Sequence, residues 1–461
     1  MRTKFFARTA LGMALAIGVA AGTASPVLAK DKDKPAEAPK LNPSKPYIPV
    51  YVAAKNALDA AQKRPDVMAA HQTATAARDA LLNARDKASK AAAKARLDAA
   101  VAALAPLLTA EKAAVDKSTA AATSIDDKFL AGQLTLTYGN VAVDLPMQRL
   151  GIQQQVDSGK IVGPDKAKFL MVAGNISMEL QQYPAARASF QAASDAGAAP
   201  SEALINLADA FIKDNQTPAG LKVLQDAITK TGATAPEGWM RYGVASAYKG
   251  KMPAEAAMFA NELVAMYPTT DNWSLAIAVV RDLNSFQGHD QIALLRLMER
   301  TKSFSEERDY VDYIQALSKR GLPGEELKII DEGLAAGKLK PTDEFVTDSR
   351  KEGLARLASD KASLPAQEKE ARAPNATAAT TASAGDTFLS YDQPVKAEEF
   401  YKLALGKTGV EAQRVNLQLG IAQADQGKWA DAQASFAKVT DTRMPIALLW
   451  IAYAKSKAAG K

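Results

Sequence analysis

A spacing of about 34 residues between equivalent side chains constrains this sequence more than any other feature. Between positions 167 and 300, three kinds of position return together at nearly constant intervals. The position that begins as a small residue holds Gly174, Ala208, Gly243 and Ile277. The bulky position holds Phe190, Leu224, Phe259 and Ala293, and the apolar anchor holds Leu170, Leu204, Trp239 and Trp273. A fixed period of this kind predicts a stack of similar supersecondary units.

Each unit has the pattern of two short amphipathic helices joined by a tight turn. In residues 167–200, Leu170 and Gly174 share one face of the first helix, and Phe190 on the second helix faces back towards them. A turn before Pro184 separates the two helices, and Gly197 ends the second one. The small residue marks the point where the partner helix approaches closely, so the pattern predicts an array of helical hairpins.

The composition favours the same all-α fold class. Hydrophobic residues make up 48% of the chain but aromatic residues only 6%, so alanine and leucine supply most of the apolar surface. That balance suits closely packed helices and disfavours a β-rich fold. A chain of 461 residues is too long for one compact core. A repeat array escapes this limit, because each repeat packs only on its neighbours.

These residues resemble the tetratricopeptide repeat, a helix–turn–helix family of 34-residue units. The match is clear in Leu419-Gly420 followed by Gly427, Trp429, Ala432 and Phe436, and the resemblance extends over residues 165–457. It implies a right-handed α-solenoid of about eight hairpins, preceded by an Ala-rich helical region. It also implies a concave groove, lined by the first helices, that receives an extended peptide or a partner helix.

The N-terminal residues predict export from the cell. Residues 1–29 contain a basic start, an apolar run from Leu11 to Ala21 and small or apolar residues up to Ala29, which together are typical of a bacterial signal peptide. An uncleaved anchor is the alternative. The expected location is the periplasm, with secretion to the medium as the second choice. Four prolines between positions 35 and 46, together with alternating charges, predict that residues 30–49 form a disordered tether.

The rest of the chain divides by composition. Residues 134–138 fit a short strand as well as a helix, and the polar stretch 343–371 is expected to form a poor repeat unit. The predicted segments are an Ala-rich helical bundle or hairpin over 50–124, a transitional stretch or degenerate repeat over 125–164, tetratricopeptide-like repeats over 165–372, a loop over 373–384, and further repeats with a capping helix over 385–457.

Charge and motifs argue against several classes of function. The net charge is +6, but three basic residues belong to the leader, which leaves 54 basic against 51 acidic residues and predicts no nucleic-acid partner. The absence of cysteine excludes disulfides and cysteine-based metal sites. No catalytic, nucleotide-binding or metal-binding motif occurs. We therefore expect no enzyme activity, no cofactor and no metal.

The resemblance also places candidate partner-binding residues on the first helices. One subgroup of the family grips a peptide carboxylate, and Asn175, Asn206 and Arg241 match three of its five positions, but Met171 and Glu237 replace both lysines. A general groove for a protein segment is therefore the preferred prediction. Its candidate residues are Lys168, Asn175, Met178, Asn206, Asp209, Arg241 and Tyr248.

The predicted function is a noncatalytic protein-interaction scaffold or adaptor of the bacterial cell envelope. The alternative is an accessory subunit of polysaccharide or peptidoglycan machinery that contacts glycan directly. Exposed aromatic residues in the groove favour glycan, whereas Trp239 and Trp273 fall at expected packing positions and favour a protein partner.

Overall fold

The computed structural model describes residues 41–197 and 200–460. Within these residues every regular element is a helix, so the predicted all-α class is confirmed, and the strand alternative at 134–138 is wrong. The chain divides into two compact units, which we describe separately. The first unit ends at Thr231 and the second begins at Gly232. The predicted signal peptide and the tether up to position 40 lie outside the described residues.

The first unit begins with two pairs of helices that we call the arm. Its helices are α1 (Tyr47–Ala61), α2 (Pro65–Asn83), α3 (Lys87–Leu104) and α4 (Thr109–Ala121). α1 packs on α4 and α2 packs on α3, so the arm is one long, antiparallel helical hairpin. α1 and α2 form one leg of this hairpin, α3 and α4 form the other, and each leg has a break between its two helices. Both breaks contain proline, at Pro65 and Pro106, which cannot continue a helix from the preceding turn.

Residues 41–46 are not the free tether that the composition predicted. The backbone N–H of Ser44 donates to the Asp127 carboxylate at 2.8 Å, and the Ser44 hydroxyl donates to it at 2.8 Å. The backbone N–H of Asn42 donates to Asp126 at 2.7 Å. Two acidic residues that follow the arm, at the start of the helix Ile125–Val141, therefore fix this segment, and proline-rich composition alone does not reveal such acceptors.

Three helical hairpins complete the first unit. They are formed by α5 (Ile125–Val141) with α6 (Leu145–Asp157), α7 (Gly163–Glu179) with α8 (Tyr183–Asp195), and α9 (Pro200–Lys213) with α10 (Thr217–Thr231). Each hairpin also packs on the next, as the repeat pattern predicts. The turn before α8 and the turn before α10 contain a residue with positive φ, Gln181 and Asn215 respectively. A proline then lies in the first turn of each second helix, where its missing N–H costs no hydrogen bond.

The second unit continues with hairpins of the same kind. Its first six helices are α11 (Glu237–Lys249), α12 (Pro253–Met266), α13 (Thr270–Leu283), α14 (His289–Arg300), α15 (Glu307–Arg320) and α16 (Pro323–Ala335). Every residue assigned to the small and bulky repeat positions is buried, including Ile277 and Ala293, where the sizes are exchanged. The tetratricopeptide-like packing predicted from the spacing is therefore confirmed.

The stretch predicted as a sixth, poor unit is instead one helix, α17 (Glu344–Arg372), with Pro365 inside it. It is rich in Ala, Lys, Glu and Arg, which favour helix, and no turn motif divides it. α17 packs on α16, and Gly353 permits this approach because a Cβ there would lie 3.1 Å from the Leu327 side chain.

The predicted loop over 373–384 is wrong, because α18 (Ala378–Ser390) begins inside it. The Thr377 hydroxyl accepts a hydrogen bond from the backbone N–H of Thr380 at 3.0 Å and caps this helix. The Ala-, Thr- and Ser-rich composition suggested a loop, but small side chains here serve close packing. A Cβ at Gly385 would lie 2.6 Å from the ring of Tyr401.

The last helices are α19 (Pro394–Leu405), α20 (Ala412–Ala424), α21 (Trp429–Phe436) and α22 (Met444–Ala458). α18 pairs with α19, and α20 pairs with α21. The final helix α22 packs on α21 and also on α12, α13 and α14, which lie far earlier in the chain. The second unit therefore closes on itself, an arrangement that the linear repeat pattern did not predict.

Candidate functional site

The seven predicted partner-binding residues fall in both units. Lys168, Asn175 and Met178 lie on α7, and Asn206 and Asp209 lie on α9, all in the first unit. Arg241 and Tyr248 lie on α11 in the second unit.

α7 presents its candidate residues to solvent because its other face is filled by packing. Leu170 and Gly174 are buried, which leaves Lys168 and Asn175 exposed and Met178 half-buried. Lys168 already forms an exposed ion pair with Asp165, with an Nζ–Oδ1 distance of 3.1 Å. Such a pair contributes little to stability, so Lys168 is free to exchange partners at small cost.

α9 contributes one accessible amide and one constrained carboxylate. Asn206 is half-buried, whereas Asp209 is only 9% exposed. The Asp209 carboxylate pairs with Lys213 one turn later, at 2.8 Å. Of the five residues in the first unit, Lys168 and Asn175 are exposed, Met178 and Asn206 are half-buried, and Asp209 is the least suited to direct contact.

An arginine of the arm lies against the end of α7, and sequence reasoning missed it. The Arg78 guanidinium donates two parallel hydrogen bonds to the Glu179 carboxylate, both at 2.7 Å. Arg78 is 6% exposed, so this is a buried bidentate pair. The sequence contains one indication that Arg78 is buried: its spacing places it on the same helix face as Val67 and Ala74, which are buried in α2. The pair fixes the arm beside the predicted groove.

In the second unit, Arg241 is already neutralised by its own helix. Its guanidinium pairs with Glu237 at 2.7 Å, and Glu237 also accepts a hydrogen bond from the Asn272 amide at 3.0 Å. The hydrogen bond from Arg241 is the main cause of the lowered pKa of Glu237. This acidic residue occupies a position where the carboxylate-gripping subgroup has lysine. The arrangement therefore does not form a carboxylate grip.

The tryptophan positions agree only partly with the prediction that they pack. Trp273 is 4% exposed, whereas Trp239 is half-buried and its neighbour Met240 takes the deep position on α11. Trp429 is also half-buried and meets Tyr453 edge-on, with ring centroids 6.1 Å apart. Tyr248 is an exposed ring on α11, at 43%.

The interior of the second unit is filled by its own helices. All residues of α20 from Arg414 to Ala424 are buried, and so are those of α14 from Ile292 to Met298. A helix that is buried on every side belongs to a core rather than to an open groove. The first-helix face of α20, which the resemblance assigned to partner binding, is therefore not available.

Long-range polar contacts hold this closed arrangement. The Arg300 guanidinium donates to both carboxylate oxygens of Asp425, at 3.0 and 2.8 Å. Arg443 before α22 donates to Asp290 at 2.8 Å. The fully buried Trp450 donates its indole N–H to the carbonyl of Ala293 at 3.1 Å. Ala293 occupies a repeat position that holds a bulky residue in the earlier units, and α22 packs at this same place.

A charged cluster lies at the centre of the second unit. Arg296 is 2% exposed and donates two hydrogen bonds to Glu325, at 2.8 and 2.6 Å, and a third to Gln418 at 3.1 Å. The Tyr313 hydroxyl also donates to Glu325. Burial alone raises the pKa of Glu325, but the adjacent guanidinium outweighs it and lowers that pKa overall. The cluster is a structural ion pair rather than an exposed reactive site.

Other kinds of site leave no trace in the described residues. These residues contain no group of three or more His, Cys, Asp or Glu side chains arranged to hold a metal ion. Nor does any helix over 41–197 or 200–460 have the length and apolar character needed to cross a membrane.

Comparison with known proteins adds little to these observations. A scan against protein-family models gives no match, and a search of curated proteins gives none. Among solved structures, the pentatricopeptide repeat protein PPR10 from maize is similar at 12% identity, over 89% of this chain and 67% of that chain, with a TM-score of 0.27. The tetratricopeptide repeat domain of P58(IPK) is 12% identical, over 78% and 99%, with a TM-score of 0.21. TM-scores this low carry no argument, so the hairpin fold rests on the packing described above.

Proposed function

We propose that this chain is a noncatalytic protein-interaction scaffold and that its partner docks on the first-helix surface of α7 and α9. The observation that carries the proposal is a contrast between two sets of first helices. α7 and α9 leave Asn175, Met178 and Asn206 accessible, whereas the first helix α20 is buried from Arg414 to Ala424. Accessible amides beside a flexible thioether suit the backbone and apolar side chains of a peptide segment.

The arm supports this proposal because it limits the surface on one side. The ion pair between Arg78 and Glu179 holds α2 beside the end of α7, so α2 borders one side of the proposed surface. Binding to a surface that is already ordered avoids the entropic cost of ordering it. The partner we propose is an extended peptide or a helix of another protein.

We further propose that the scaffold works in the bacterial cell envelope. The support is the leader pattern of residues 1–29. Fusing residues 1–60 to a reporter enzyme that is active only after export tests the location. Reporter activity that disappears when Leu11 to Ala21 is deleted supports export, and an inactive fusion contradicts it.

Site-specific photo-crosslinking tests the proposed surface. A photoreactive residue at Asn175 or Asn206 is expected to capture one defined protein in living cells, whereas the same residue at Lys222, on the exposed side of α10, is not. The substitution Asn175→Arg should then weaken binding of the purified partner by about tenfold or more. Equal capture at all three positions would contradict the proposed surface. Saturable binding of peptidoglycan fragments without any protein adduct would favour a glycan ligand instead.

A further inference from the structure

A cavity of about 470 Å³ lies in the second unit. It is bounded by the end of α14, the segment that follows it, the start of α15 and the C-terminal half of α16. Its lining includes Glu299, Lys302, Phe304, Tyr310, Glu332 and Lys338. Cavities of roughly 300–1,000 Å³ are typical of sites that hold small ligands.

Two of the four charged groups in this lining are already engaged. Glu299 pairs with Lys328 at 2.9 Å and with Arg300. The Lys338 ammonium donates to the backbone carbonyl of Ser305 at 2.8 Å. These contacts hold both side chains to the wall of the cavity: Glu299 is paired with two cations, and the Lys338 ammonium is anchored to a carbonyl oxygen.

The other two charged groups, Glu332 and Lys302, have no ion pair within the described part of the chain. Lys328, Arg300 and, least of the three, Lys302 lower the pKa of Glu332, but none of them forms an ion pair with it. Burial is the main cause of the raised pKa of Glu332, and Glu299 raises it further. Within the described residues the cavity thus holds one carboxylate without an ion pair, Glu332, and one ammonium with neither an ion pair nor a hydrogen bond, Lys302.

The backbone conformation at Lys302 is fixed by the turn in which it lies. Its backbone has φ of 52°, in the left-handed region, at the turn that ends α14. The backbone N–H of the next residue, Ser303, returns to the carbonyl of Met298 at 2.9 Å, and Ser303 is buried. The turn is therefore closed by its own hydrogen bonds, and Lys302 projects from a defined point rather than from a loose loop.

An aromatic pair supplies the apolar part of the lining. The rings of Phe304 and Tyr310 have centroids 4.6 Å apart and are tilted by 41°. Tyr310 is 3% exposed, which shows that its ring is held firmly between α15 and α16. Phe304 is half-buried and leaves part of its surface for contact with an apolar group.

We propose that this cavity binds a zwitterionic dipeptide that carries an apolar side chain. The dipeptide ammonium would pair with Glu332, its carboxylate would pair with Lys302, and its side chain would contact Phe304. A single inorganic ion would satisfy only one of the two unpaired charges. An internal segment of a long peptide carries neither terminus, so it would satisfy neither charge.

Titration calorimetry of the full chain with alanyl-phenylalanine tests this assignment. The dipeptide should bind saturably, and both its N-acetyl derivative and its C-terminal amide should bind at least about tenfold more weakly, because each loses one charge-assisted pair. Glu332→Gln should bind the dipeptide and its N-acetyl form equally. Lys302→Met should instead bind the dipeptide and its amide equally.

Matched control variants are available on the same unit. Glu307→Gln and Lys340→Met remove exposed charges that do not line the cavity, and both should bind the dipeptide as the unaltered chain does. Thermal unfolding of all variants checks that they are folded.

Three results would overturn the proposal. One is the absence of saturable binding up to about 10 mM dipeptide. Another is equal binding of all three ligands by the unaltered chain. The third is energetic coupling between Lys302→Met and Glu332→Gln in unfolding without dipeptide binding, which would mean that these groups simply pair with each other. None of these results bears on crosslinking at Asn175, so the two proposals fail separately.

Discussion

Gly174 on α7 lies directly beneath the ring of Phe190 on α8. A Cβ at position 174 would come 2.6 Å from Cδ1 and 2.8 Å from Cζ of that ring. The same relationship joins Gly243 with Phe259, and Gly420 with Phe436. In each hairpin an absent side chain on the first helix makes room for an aromatic ring on the second.

Gly420→Ala should destabilise the second unit by about 1–3 kcal/mol, because the added methyl group overpacks a site that the Phe436 ring already fills. Phe436→Leu in the same chain should recover part of this loss, since a smaller side chain frees the space. Urea unfolding of the single and double variants measures both effects. Gly406→Ala is the control, since a Cβ there would meet only the Leu403 carbonyl at 3.5 Å. An unchanged stability of Gly420→Ala would show that the hairpin adapts without cost.

Arg296→Met should cost about 3–5 kcal/mol, because it leaves the buried Glu325 carboxylate without its counter-charge. Adding Glu325→Gln should restore much of the stability, since the second change removes the uncompensated charge. Unfolding in urea gives the double-mutant cycle. Arg350→Met, which removes an exposed pair with Asp331, should change stability by less than about 1 kcal/mol. Strictly additive losses at Arg296 and Glu325 would contradict the pairing.

Glu326 on α16 should make the stability of the second unit depend on pH near neutrality. It is 1% exposed and faces Ser318 of α15 and Arg356 and Glu352 of α17. Burial raises its pKa from 4.5 to about 7. Because the folded pKa exceeds the unfolded one, the protonated carboxyl stabilises the folded state. This stabilisation is fully present below pH 4.5 and is lost as pH rises through 7.

Glu326→Gln should remove that dependence. Between pH 5 and 8, the free energy of unfolding of the unaltered chain should fall relative to that of Glu326→Gln by up to about 3 kcal/mol. Chemical unfolding at a series of pH values provides the measurement, and Glu307→Gln on the exposed start of α15 is the control. Parallel pH profiles for the chain and Glu326→Gln would mean that this carboxyl is ionised in the folded state.

Asp127→Asn should release residues 41–46 and weaken the start of α5. The carboxylate accepts hydrogen bonds from Ser44 and from the backbone N–H of Ser124 at 3.0 Å. Burial opposes its ionisation, but these hydrogen bonds hold its pKa well below the usual range. The stabilisation is therefore present above the unfolded pKa, near 4, and is lost as pH falls.

We expect a loss of roughly 2 kcal/mol at pH 7 for Asp127→Asn, and faster cleavage of residues 41–46 by a broad-specificity protease. Mass spectrometry of the fragments locates the cut. Asp116→Asn on the exposed face of α4 should leave the cleavage rate unchanged. Equal protection of the segment in both variants would show that Leu41 and neighbouring apolar contacts hold it without Asp127.

The hairpin fold was predictable because its determinants are local and periodic. Gly174 and Phe190 are separated by one turn, and the same spacing recurs at Gly243 and Phe259. Composition was a poorer guide where small residues have two uses. The Ala- and Thr-rich start of α18 packs tightly, although the same residues are common in loops.

The surface proposed for partners was only partly predictable, because its surroundings depend on contacts that are distant in sequence. Asn175 is exposed as its register implied, but nothing near Arg78 indicates that Glu179 is its partner. Likewise, the exchange of sizes at Ile277 and Ala293 was visible, but its connection to Trp450 required the structure.

The closure of the second unit has a consequence for how its sequence can change. A linear repeat protein gains or loses a hairpin at little cost, since each repeat meets only its neighbours. Here Arg300 must reach Asp425, and Trp450 must reach Ala293, across all the helices between them. Inserting or deleting one hairpin in that interval would separate these residues. The number of helices between α14 and α20 is therefore fixed by ring geometry, and duplication of a repeat is tolerated only outside it.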